Sequence, residues 1–139
     1  MNQKILRVAS WKHQYWLAVE SGINPAPQPG ELDQAIAESN DVFKHDRTTS
    51  VARVCLGAQE GVLKRYNPRN WAHKFKRAFR RSRARRCWNM SYHFHRAGLN
   101  VAQPVLMYEK RLGPIRRDAY FLNRYLPGEE LLGRLSTLD

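Results

Sequence analysis

The sequence predicts an α+β domain: a five-stranded antiparallel sheet with one long basic helix packed on it. Three observations predict it. Short β-branched and aromatic runs recur between turn residues on both sides of one helical stretch. That stretch, residues 70–97, repeats apolar residues at helical spacing. Finally, residues 61–98 carry twelve Lys/Arg and no Asp or Glu, so the whole net charge of +12 is concentrated there.

The elements follow in order. Residues 1–40 read as an extension in which Trp11, Tyr15 and Trp16 cluster, expected to pack onto the domain. Pro25, Pro27, Pro29 and Gly30 exclude a helix or a central strand, so residues 25–30 are expected to be a stiff linker or turn. Glu31 to Ser39 suits a short helix. Val42-Phe43-Lys44 is the first strand, and His45 to Ser50 is a polar turn. Val51 to Leu56 and Val62 to Tyr66 are the second and third strands, the third ended by Asn67-Pro68.

Trp71, Phe75 and Phe79 form one helical stripe; Ala84, Cys87, Trp88, Ser91 and Phe94 form another on a different face. The change near Ser82 predicts two helices or one kinked helix. Gly98 suits the position just past the helix end, with Leu99 behind it. Val105 to Glu109 and Ala119 to Tyr125 are the last two strands, with Tyr120, Phe121 and Leu122 as core. Pro127-Gly128 ends the last strand, and a further helix starts at Glu129.

Composition bounds the function classes. Hydrophobic residues make up 42%, enough for a core. No segment reaches the roughly 20 apolar residues that span a bilayer, and no signal-peptide core is visible, so a cytoplasmic setting is expected. Cys55 and Cys87 suit neither a disulfide framework nor a zinc site and read as core thiols. His93 and His95 bracket Phe94 and diverge on a helix, so neither a metal site nor catalytic residues are assigned here.

The cation-rich stretch implies an anionic partner: nucleotide, phosphorylated glycolipid, membrane surface or nucleic acid. Arg77, Arg80, Arg81 and Arg85 are its candidate anion or membrane contacts. Nucleic acid is the weaker choice, because the aromatic spacing fits a core and no recognition motif appears. A solvated face without a partner is the plain alternative.

Alternation places Val62 and Lys64 on one face of the third strand and Leu63 and Arg65 on the other. A lysine fixed on a strand and facing a cleft suits a phosphate, which concentrates negative charge. A lysine at a strand end pointing to water is the alternative.

Val62-Leu63-Lys64-Arg65-Tyr66-Asn67, Ser82-Arg83-Ala84, His95-Arg96-Ala97-Gly98-Leu99 with Pro104, and Tyr125-Leu126-Pro127-Gly128 stand in that order. Together they resemble the lipopolysaccharide core kinases, which include heptose and Kdo kinases. The resemblance covers residues 41–138. It implies a protein-kinase-like N-lobe over residues 41–126, with a hinge and the start of a C-lobe helix at 127–139. It implies ATP with a divalent metal, Mg as the expected ion, and a sugar hydroxyl of the lipopolysaccharide inner core as acceptor. The site would lie at the inner face of the cytoplasmic membrane.

Under that resemblance, Lys64 contacts nucleotide phosphates. Thr48, Thr49 and Ser50 replace the usual glycine-rich cover, unless they form a bland turn. Three departures stand out. The cover has no glycine, and the helix has no glutamate for Lys64, Cys87 falling near that place. No His-Arg-Asp or Asp-Phe-Gly-like sequence occurs in the 139 residues, so the lobe is expected to be incomplete for catalysis. The rival expectations are a non-catalytic pseudokinase-like module and a basic nucleic-acid- or anion-binding module.

Overall fold

A computed structural model describes residues 4–23, 26–67, 82–113 and 115–126. Among these, seven strands form one wholly antiparallel sheet with two α-helices. This corrects the expected five-stranded sheet with one long helix. The two extra strands come from the stretch read as an extension: β1, Ile5–Ala9, and β2, His13–Ala18. The hairpin closes through Ser10, whose amide donates to the His13 carbonyl at 2.7 Å.

The remaining strands are β3 (Val42–His45), β4 (Thr49–Leu56), β5 (Gln59–Tyr66), β6 (Pro104–Leu112) and β7 (Ile115–Arg124). Their order across the sheet is β1-β2-β6-β7-β5-β4-β3. Helix α1, Pro29–Glu38, begins two residues earlier than expected, at Pro29 and Gly30, because Pro suits the first helical turn where its missing amide is not needed, with a reciprocal cap between Gln28 and Glu31. Helix α2, Arg83–Arg96, starts at Ser82, whose hydroxyl accepts from the Arg85 amide at 3.0 Å. Gly98 follows its end with φ of 82°, a conformation that disfavours side chains with Cβ. The expected helical turns before Ser82, the expected C-terminal helix and Pro127-Gly128 lie outside the described residues.

Period-two alternation divides the core between the sheet's two faces. On one face Leu32 of α1 packs with Leu17, Ala52, Val54, Leu63, Leu106 and Leu122. On the other, Ala84 and Trp88 of α2 pack with Trp16, Met107, Ala119 and Phe121. Tyr120, Phe121 and Leu122 are all buried, as alternation on a doubly covered strand requires. Trp16 joins this core, but Trp11 stands out at 68% exposure on the β1–β2 turn. Cys55 is exposed and not a core thiol; Cys87 is half-buried. No described helix is long and apolar enough to cross a membrane.

Candidate functional site

β5 lies between β7 and β4 in the sheet. Gly61 lets β7 approach it closely: a Cβ there would lie 2.5 Å from the Asn123 carbonyl oxygen. Three residues on, Lys64 stands in register between Val51 of β4 and Phe121 of β7. The same row runs on through Met107, Trp16 and Arg7. Lys64 therefore shares the α2 face of the sheet, and Leu63 and Arg65 take the other, as alternation predicts.

Helix α2 lies over β6 and β7 and reaches only the near edge of β5. Its contact there is Cys87, whose Sγ is 3.5 Å from the Tyr66 hydroxyl. Burial, then the bond to Cys87, pushes that hydroxyl above its ordinary pKa, so it stays neutral. No described element of the α2 side extends across Val51, Val62 and Lys64, all three half-buried. Arg53, in register with Val62, shares this face but is paired with Glu60 and Asp41, which leaves Lys64 beside Val51 and Val62.

Among the described residues, no carboxylate lies within ion-pairing distance of Lys64. The buried acid of this face is Glu109, and it is taken. Ser82 donates to its Oε1 at 2.7 Å, and Arg111 donates to its Oε2 at 2.8 Å. On the opposite face Arg65 has Asp33 and Asp118, each at 3.2 Å. Adjacent cations on one strand thus have opposite surroundings, one neutralised and one not.

Thr48, Thr49 and Ser50 are separated by the strand's pleat. Thr49 pairs with Tyr66 and shares the Lys64 face; Ser50 pairs with Arg65 on the other face and bonds His45 Nδ1 at 3.0 Å. The amides of Thr48 and Thr49 both donate to Asp46 Oδ1 at 2.8 Å. Those backbone bonds hold the Asp46 carboxyl below the usual carboxylate range. The turn's donors are thus already answered by a carboxylate from within. An incoming phosphate would have to compete with it.

Arg85 lies against Trp16, its Cζ 4.9 Å from the ring, with Arg7 at 5.0 Å from the same ring. Its Nε is buried without a partner among the described residues. Sequence reading missed this arrangement because it depends on the β1–β2 hairpin. Arg77, Arg80 and Arg81 lie outside the described residues. No group of three His, Cys, Asp or Glu able to hold a metal occurs among the described residues. No known protein family, characterised protein or solved structure matches the chain.

Proposed function

We propose that this chain binds the phosphates of a nucleotide, as one lobe of an ATP-dependent phosphotransferase. The observation that carries the reading is Lys64. It is a half-buried ammonium beside Val51 and Val62, without a carboxylate partner among the described residues, whereas Arg53 on the same face is paired with Glu60. Desolvating a charge is unfavourable unless another charge answers it, and a nucleotide phosphate supplies that charge. Val51 and Val62 offer an apolar surface beside the cation. Thr49 is on the same face, whereas Ser50 is not. The acceptor, a sugar hydroxyl of the lipopolysaccharide inner core, rests on the sequence resemblance alone, as does Mg with the ATP.

These 139 residues contain no His-Arg-Asp or Asp-Phe-Gly-like sequence, so the part assigned to them is nucleotide binding. Titration with a fluorescent ATP analogue and Mg tests it. Lys64→Ala is expected to weaken binding by about tenfold or more, a charge-assisted contact being lost. Lys44→Ala, which removes an exposed partner of Asp46, is expected to leave it unchanged. Equal binding by the wild type and Lys64→Ala overturns the assignment.

A further inference from the structure

Two hairpin tips lie side by side at one end of the sheet. The Gly113 amide donates to the Trp11 carbonyl at 3.0 Å, and the Arg111 amide donates to the Lys12 carbonyl at 2.8 Å. The ladder between β2 and β6 is thereby extended to the turns themselves. Trp11 lays its ring on Gly113, where a Cβ would fall 2.6 Å from the indole. The ring is thus seated on backbone, yet 68% of Trp11 remains exposed. Beside it Leu112 is 56% exposed.

The surroundings of this pair are cationic. Lys12 and Arg117 are exposed, and Lys110 is half-buried, its Nζ 3.9 Å from Asp118. No Asp or Glu occurs in residues 8–17 or 110–117. Isolated exposed apolar residues are ordinary on protein surfaces. Here a tryptophan and a leucine share one pair of hairpin tips, on hydrogen-bonded backbone, with Lys12 and Arg117 exposed nearby and the acids next in sequence, Glu109 and Asp118, paired with Arg111 and Lys110.

The geometry points to a bilayer-docking tip: Trp11 and Leu112 enter the headgroup region of an anionic membrane, and the flanking cations meet its phosphates. Indole rings favour the water–hydrocarbon boundary, and each Lys or Arg near an anionic surface adds attraction. The tips are already ordered, so docking immobilises little further chain. A pair of hairpin tips presenting two apolar residues suits a deformable lipid surface. The basic charge selects acidic headgroups. This inference stands on the tips and does not depend on nucleotide binding by Lys64.

Sedimentation of the protein with phosphatidylcholine vesicles containing phosphatidylglycerol tests it, with phosphatidylcholine alone as reference. Binding is expected only with the acidic lipid. Trp11→Ser combined with Leu112→Ser is expected to weaken it about tenfold or more, since membrane affinity scales with buried apolar area. Circular dichroism and the urea midpoint establish that the double variant is folded. Bromine-labelled lipid gives a second reading: it is expected to quench tryptophan fluorescence in the wild type but not in Trp11→Phe. Absence of wild-type binding, equal binding by the double variant, or quenching that persists in Trp11→Phe each overturns the proposal. The last outcome would place the contact at another tryptophan.

Discussion

Ser82 donates a 2.7 Å hydrogen bond to Glu109, a carboxylate with no exposed surface. The same hydroxyl accepts from the Arg85 amide, so one oxygen ties the start of α2 to β6. Ser82→Ala removes the cap and leaves a buried carboxylate oxygen short of a donor. A loss of about 2–3 kcal/mol in unfolding free energy is expected, measured by urea titration. Ser82→Thr keeps the hydroxyl and should recover most of it.

On the opposite face the Tyr120 hydroxyl donates to Asp33 at 2.7 Å and ties α1 to β7. Tyr120→Phe is expected to cost about 1.5 kcal/mol at neutral pH. Burial, then the bond to Asp33, raises the tyrosine's pKa in the folded chain. A raised folded-state pKa contributes stability that is complete below the unfolded value, about 10 for tyrosine, and is lost as pH rises through the folded one. Wild-type stability should therefore fall with pH above about 10. Tyr66, raised likewise, contributes to the same fall. In Tyr120→Phe the slope should be smaller by one proton, measured as urea midpoints across that range.

Gly61 is packed against the backbone of β7 as well as against a buried side chain. A methyl there would meet the Asn123 carbonyl oxygen and, at 2.7 Å, Leu122 Cδ1. Gly61→Ala is expected to destabilise by about 2–3 kcal/mol through overpacking. Gly57→Ala has open space around its added methyl but a φ of 61°, and should cost about 1 kcal/mol. Thermal unfolding of the pair separates collision from backbone preference.

Asp46 makes a prediction for acid. Its folded-state pKa is depressed by the Thr48 and Thr49 amides, so the turn's contribution is present above the unfolded carboxylate value and lost as pH falls through the folded one. Carboxyl-carbon NMR should find Asp46 still ionised well below pH of about 3.9. An ordinary titration midpoint would mean that the two amide bonds do not hold in solution.

Much of the fold was legible because its local signals were strong. Val51, Val54 and the Val62–Leu63 pair declare strands, and alternation alone assigned Lys64 and Leu63 to opposite faces. Gly98 marked the helix end. The β1–β2 hairpin went unread because it turns at Ser10-Trp11-Lys12, without Gly, Pro or Asn, and its partner β6 is far along the chain. Cys55 was misjudged for a related reason: it lies on a strand, but at a place where no described helix covers that face. The site was legible only in outline. Asp46 followed by Thr48 and Thr49 has the spacing of a side-chain-closed turn, a signal that was available. That the helix offers no glutamate to Lys64 was visible in the sequence; the structure adds that the buried Glu109 of the same face is committed to Ser82 and Arg111.

The pairing of β2 with β6 also fixes a sequence of events during synthesis. Trp16 meets Met107, about ninety residues later in the chain, and such distant pairings are slow to form. The first hairpin leaves the ribosome with Trp16, Leu17 and Ala18 uncovered, and its partner strand does not yet exist. The β1–β2 hairpin can therefore join the sheet only once β6 has been made. Until β6 emerges, the nascent chain carries an open strand edge of the kind that invites aggregation or chaperone capture.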